Sequence, residues 1–183
     1  MVDYLSIIAK YYKPGTDLYN LLILHSRQVA ELAMWLADSA SVAIDKEFVY
    51  EAAMLHDIGV ILTDAPSIHC HGSEPYMRHG LLGKAMLERE GLPRHALVCE
   101  RHVGTGLTAQ EIATQGLPLP AVDMVPVTNE EKLVCYADNF FSKSKPTRGK
   151  TYTKLLVKTQ RYGAAALARL EEMHALFPLA SIE

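Results

Sequence analysis

The stretch AAMLHDIGVI, residues 52–61, decides the reading of this chain: an apolar helical run ends on a histidine and an aspartate, and a glycine follows. An ionised carboxylate among apolar neighbours is costly unless something compensates it. Asp57 therefore either sits at a harmless helix end in water or faces a cation together with His56. The rest of the sequence discriminates between these two.

Apolar residues recur at helical spacing on both sides of this stretch. Residues 17–38 place Leu18, Leu21, Leu22, Val29, Leu32, Ala33 and Leu36 along one helix, with Asp17 at its start. A helix over 46–57 carries Phe48, Ala52 and Leu55 on one face, with Gly59 as its stop. Further helices are predicted over 76–90, ending at Gly91, and over 93–102, closed by Gly104. Thr108 with Glu111 and Thr128 with Glu131 fit the capping box, in which each side chain satisfies an orphan helix donor. Between these two starts, GLPLPAVDMVPV (116–127) reads as extended. A final helix is expected over 151–176, striped by Leu155, Tyr162, Ala166, Leu170 and Met173. No strand alternation competes. The expected fold is an all-α, single-domain bundle over 1–183, of about six to eight helices.

Nearly half of the residues are apolar and 21% are charged, which argues for a globular chain. A net charge of −3 gives no reason to expect nucleic acid or an anionic membrane as partner. No apolar run approaches a bilayer span, and MVDYLSIIAKYY lacks the marks of a signal peptide. Cys70, Cys99 and Cys135 are odd in number and far apart, which suits free thiols in a reducing cytoplasm. The expected location is cytoplasmic.

Ligand-type residues interrupt the apolar faces. His25 lies four residues before Val29, His56 four after Ala52, and Asp138 four after Val134. Helical periodicity turns all three toward the core. A single histidine there is ordinarily a core imidazole bonded to a carbonyl. A buried aspartate needs a cationic partner, and Lys132 does not share its face. One shared cation explains Asp138 together with the His56–Asp57 pair better than separate coincidences do. Imidazole and carboxylate together suit Fe, Mn, Co, Ni or Zn. His79 lies in the first turn of the helix predicted from YMRHGLLG, and His102 in the last turn of the one predicted from CERHVGTG.

The order His25, LHDIG (55–59), His79, His102 and YADN (136–139) closely resembles the HD superfamily of metal-dependent phosphohydrolases, in its small stand-alone HDIG subgroup. The resemblance covers about residues 17–142 and extends to RHVGTGLTAQE, GLPLP and EEKLVCYAD. It implies that His25, His56, Asp57 and Asp138 hold a first divalent ion. His79 and His102 would hold a second, bridged by Asp57. The segment LTDAPSIHCHGSEPYM before His79 is longer than in the shortest relatives.

The implied function is hydrolysis of a nucleotide or other small phosphoester by a metal-activated hydroxide, with Asp57 as the catalytic residue. Two rival readings are a mixed-valent di-iron oxygenase of the same superfamily and a non-catalytic metal-bound nucleotide or small-molecule sensor. A cyclic-dinucleotide phosphodiesterase is disfavoured because no GYP follows a histidine-containing segment. Candidate phosphate-binding cations are Arg78, Lys84, Arg101 and Lys143, with Lys145 and Arg148 beyond it in SKSKPTRGK (142–150). HCH (69–71) reads as a mobile loop at the cavity mouth rather than a zinc site, since no fourth ligand has suitable spacing. Trp35 and the tyrosines read as packing, with Tyr76 a candidate substrate wall. The oligomeric state stays open, a homodimer included.

Overall fold

The structure, a computed structural model, describes residues 2–144 and 149–179. Nine α-helices are counted among these residues: α1 (Tyr4–Tyr11), α2 (Asp17–Asp38), α3 (Lys46–Leu55), α4 (His79–Arg89), α5 (Pro93–Arg101), α6 (Ala109–Gln115), α7 (Asn129–Asp138), α8 (Tyr152–Gln160) and α9 (Ala164–Leu176). Short polar residues set the starts. Thr16, Asp45, Thr108, Thr128 and Thr151 each accept a hydrogen bond from the backbone N–H of the third residue onward. Gly91 and Gly116 follow helices with positive φ, the conformation that turns a helix end without a Cβ penalty.

Two apolar clusters form the interior. One is built on α2, α3, α7 and α9, with Val29, Ala33, Val49, Ala53, Val134 and Leu170 fully buried. The other joins α1 to the segment after α3 and to α4 and α5, through Ile8, Tyr12, Leu55, Ile58, Leu87 and Cys99. The clusters meet along a seam that the helices cross. On α2, Leu22 belongs to the second cluster and Val29 to the first, with His25 between them. On α5, Val98 and Cys99 divide in the same way, just ahead of His102. Ligand-type residues thus sit where apolar packing changes partners.

The structure corrects several expectations. α3 ends at Leu55, before the HDIG stretch is finished: His56 keeps helical dihedrals and Asp57 leaves them, at φ −106° and ψ 11°. Ile58–Leu62 then forms a 3-10 turn. Gly59 is not a helix stop. A Cβ there would lie 2.2 Å from the His79 carbonyl oxygen and 2.4 Å from the Gly83 nitrogen, so glycine is needed because α4 crosses this turn backbone to backbone.

HCH (69–71), read as a mobile loop, instead contributes β2 (Cys70–His71) to a small three-stranded sheet with β1 (Thr63–Ala65) and β3 (Glu74–Pro75), in the order β2-β1-β3. Strands this short carry too few residues to show alternation. The last helix is two, α8 and α9, broken at Gly163, whose φ of 105° no helix tolerates. With the unforeseen α1, this split raises the count above the expected six to eight. Thr128 caps α7, but Glu131 does not complete the capping box: its carboxylate accepts from Val127 N–H and from Arg101 instead. Trp35 is 38% exposed and therefore not a core residue. The three cysteines are free, as expected, and all are buried, Cys70 included. No described helix is long and apolar enough to cross a membrane.

Candidate metal centre

Five elements deliver six side chains to the seam. His25 comes from the middle of α2, His56 and Asp57 from the end of α3, His79 from the first residue of α4, His102 from the end of α5, and Asp138 from the last residue of α7. All four histidines and Asp57 are buried, while the Asp138 side chain is 18% exposed and marks the open side. The ligand atoms fall into two groups, each spanning no more than 4.8 Å: His25, His56, Asp57 and Asp138 in one, Asp57, His79 and His102 in the other. Asp57 alone belongs to both.

Its two oxygens divide the work. Oδ2 lies 3.1 Å from both His25 Nε2 and His56 Nε2, whereas Oδ1 lies 3.4 Å from His79 Nε2 and 3.5 Å from His102 Nε2. Asp138 Oδ1 closes the first group at 3.0 Å from His25 Nε2 and 3.5 Å from His56 Nε2. Because Asp57 has left helical dihedrals, its carboxylate reaches the side that His56 faces, which adjacent residues of a regular helix would not share.

Three of the four imidazoles are held in the same way. Nδ1 of His56, His79 and His102 donates to the carbonyls of Ala53, Tyr76 and Cys99, at 2.7, 2.7 and 2.8 Å. That bond places a proton on Nδ1 and aims Nε2 into the seam, the usual arrangement of a metal-binding histidine. His79 Nε2 and His102 Nε2 are 3.1 Å apart, so two lone pairs face each other unless a proton or a cation lies between them. Nε2 of His25 and of His56 and both Asp57 oxygens are buried without a hydrogen bond of sound geometry. Buried polar atoms left so are costly in a native fold. The donor set, four side chains in one group and three in the other, suits borderline divalent cations.

Lys143 joins the same centre. Its Nζ lies 2.5 Å from Asp57 Oδ2 and 5.9 Å from the Tyr76 ring centroid. Burial disfavours its charge, but Asp57, Tyr76 and Asp138 hold the ammonium well above its usual range. Burial likewise opposes ionisation of Asp57, yet the charges of His56 and Lys143 hold it well below the ordinary carboxylate range. For Asp138 burial is again outweighed, here by the close approach of the His25 and His56 imidazoles. His56 is pushed up to about 10 because Asp57 and Asp138 overcome its burial. His79 goes the other way, down to about 3, through burial. The protein by itself thus balances two carboxylates with the His56 proton and a lysine.

The other expected cations are spent on carboxylates. Arg78 pairs with Glu74 at 2.5 Å, Lys84 with Glu100 at 2.7 Å, and Arg101 with Glu131 at 2.9 Å. Lys145 and Arg148 lie outside the described residues. Tyr76 does stand at the centre, its ring stacked on His79 with centroids 4.7 Å apart. The sequence reading missed two supporting residues. Tyr12, wholly buried, donates to Ile58 O at 2.7 Å and accepts from Ile61 N–H at 3.0 Å, clamping the HDIG turn. Lys150 donates to the carbonyls of Asn139 and Phe141 and fastens the chain that carries Lys143. The local signs of α1 were the spacing of Ile8 and Tyr12, one helical turn apart, and Asp3 in the N-cap position ahead of it.

The HD domain family model matches residues 22–142, which include all six of these side chains. This chain belongs to the HD domain family. Among its relatives, a Methanocaldococcus jannaschii protein described as uncharacterized is 38% identical over 119 residues, 63% of each chain. Proteins of Picrophilus torridus and Thermoplasma volcanium, both called tRNA (cytidine(56)-2'-O)-methyltransferase, are 36% identical over 124 and 135 residues. Those alignments cover 67% and 73% of this chain but only 32% and 35% of the two methyltransferases. The crystal structure of the Listeria monocytogenes phosphodiesterase PgpH HD domain superposes with a TM-score of 0.55 at 15% identity, covering 94% of this chain and 95% of that one. It shares the HD fold.

Proposed function

We propose that this HD domain is a divalent-metal-dependent hydrolase of phosphoesters, with nucleotides as the favoured substrate class. The observation that carries the reading is the position of Asp57, one carboxylate common to two ligand groups at the end of a helix. His25, His56, Asp57 and Asp138 would hold one ion, and Asp57, His79 and His102 the other. When bound, such ions lower the pKa of water toward 7 and neutralise charge on a phosphoryl group.

The chain's own groups supply the rest. Asp57 is ionised at neutral pH, so besides binding it accepts a hydrogen bond from the attacking water and orients it. Lys143 stands beside Asp57 on the side of Tyr76 and carries the charge that steadies a phosphoryl oxygen as negative charge grows there. The buried imidazoles exclude bulk water and strengthen both effects. Support for nucleotides comes from the Picrophilus and Thermoplasma relatives, whose names place a domain like this one in chains that act on tRNA.

The test is a panel of nucleotides, cyclic nucleotides and small phosphoesters, assayed with Mn²⁺, Co²⁺, Ni²⁺ or Fe²⁺ and again with chelator. Hydrolysis that needs metal and vanishes in Asp57→Ala is expected. Activity that survives in Asp57→Ala, or metal-dependent oxygen uptake with no phosphoester turnover, overturns the proposal.

A further inference from the structure

Beside the metal centre lies a cavity of about 330 Å³ whose wall includes Tyr76, Gly104, Asn139, Lys158, Tyr162 and Arg169. It falls within the size of pockets that hold small organic ligands, roughly 300–1,000 Å³. Three of its wall residues connect it to the centre. Tyr76 presents one face to the His79 imidazole, with 29° between the rings. Asn139 follows Asp138 directly, and Gly104 comes two residues after His102. The Asn139 amide donates to Gly104 O at 2.5 Å and to Cys135 O at 2.8 Å, tying the ligand ends of α5 and α7 together along the cavity edge.

The opposite wall comes from α8 and α9, beyond the end of the family match at residue 142. Arg169 is not a phosphate ligand there. Its guanidinium donates to Glu111 at 2.8 Å and to the carbonyls of Thr105 and Gly106 at 3.0 and 3.1 Å, so it is neutralised and fixes the 104–106 backbone. Tyr162 is different. It sits at the break between α8 and α9, 54% exposed, a large ring left facing solvent at the rim of the cavity. Lys158, one turn earlier, is exposed and has no carboxylate partner among the described residues.

An open aromatic face beside a cavity, with a free cation near it and a phosphoryl site next door, is the chemistry of a base-stacking platform. We infer that this cavity receives the nucleoside part of a nucleotide, with the base against Tyr162 and the phosphate directed past Tyr76 toward Asp57 and Lys143. The inference rests on the phosphohydrolase reading for its orientation, but nucleoside binding itself needs neither metal nor turnover. The rim built by α8 and α9 then selects substrates by their organic group, while the six centre residues read only the phosphate.

The experiment uses the full chain, treated with chelator, and titrates it with adenosine, guanosine, cytidine and uridine, none of which carries a phosphate. Calorimetry gives the affinity and backbone amide NMR gives the place. Saturable binding of at least one nucleoside is expected, with shifts at Gly104, Gly106 and Met77. Tyr162→Ala should weaken it about tenfold, and Tyr162→Phe should restore it, because the ring rather than the hydroxyl does the stacking. No saturable binding of any nucleoside up to about 10 mM, or binding that shifts other amides and ignores Tyr162→Ala, overturns the inference. Metal-dependent phosphoester hydrolysis without nucleoside binding would leave the hydrolase standing and sink only the cavity. Nucleoside binding without hydrolysis would do the reverse.

Discussion

Replacing Asp57 with asparagine should empty both ion positions, whereas the same change at Asp138 should empty one. The difference follows from the division of oxygens. Oδ2 of Asp57 is 3.1 Å from the His25 and His56 nitrogens, and Oδ1 is 3.4–3.5 Å from those of His79 and His102. Asp138 reaches His25 and His56 alone. Disturbing even a group that only supports a ligand typically costs 10- to 100-fold in metal affinity, so loss of a ligand carboxylate should cost about 100-fold or more at each site it serves. At protein and metal concentrations of about 10 µM, such a loss takes a site of micromolar affinity from mostly filled to mostly empty. Elemental analysis after desalting should therefore read about two ions for the parent chain, about one for Asp138→Asn, His79→Ala and His102→Ala, and well under one for Asp57→Asn. Helical circular dichroism should be unchanged in all four variants. If Asp57→Asn and Asp138→Asn lose the same amount of metal, the two-sided role of Asp57 is refuted.

Four further outcomes follow. Lys143→Ala should lower kcat/KM by about a hundredfold, while Lys84→Ala, whose ammonium is already held by Glu100, should stay within about threefold in the same steady-state assay. Metal affinity should rise with pH, by up to about one log unit per pH unit between pH 6 and 9, because binding must displace the proton that His56 holds up to about 10; calorimetry that finds no such slope refutes the protonated apo site. The same shifts fix the pH profile of the metal-free fold. Asp57 and Asp138 are depressed, so their contribution is present above about pH 4 and lost as pH falls through their folded values, whereas that of His56 is present below about 6.5 and lost as pH rises through about 10. Gly59→Ala should cost about 3 kcal/mol or more in chemical denaturation, because its Cβ would overlap the backbone of His79 and Gly83, and Tyr12→Phe about 2 kcal/mol through loss of both bonds to the HDIG turn.

Much of the architecture was legible because it is local. The caps at Thr108 and Thr128, the helical period of 17–38 and the glycine stops at 91 and 104 each leave a mark within one or two turns. The candidate cluster was legible for a related reason: His25, His56 and Asp138 break apolar stripes, and a stripe shows what breaks it. What escaped depends on tertiary approach. Gly59 looked like a helix stop, although its true constraint is a backbone crossing from residues some twenty positions away. Arg78, Lys84 and Arg101 looked equally available beside the histidines, but their carboxylate partners lie on other turns or other helices. Lys143 could be told from them only once the chain after α7 was seen to fold back over Asp57. The small sheet over 63–75 and the break at Gly163 were invisible because strands of two or three residues, and a helix pair with a continuous apolar stripe, carry no distinguishing period.

The central claim is that six side chains from five elements make one two-ion centre in which Asp57 is the common ligand. Anomalous scattering from crystals of the full chain, grown with Mn²⁺ and without chelator and recorded on both sides of the manganese edge, tests it most directly. Two peaks are predicted, one enclosed by His25, His56, Asp57 and Asp138, the other by Asp57, His79 and His102. Metal elsewhere in the molecule, or a peak that Asp57 does not contact, would contradict it.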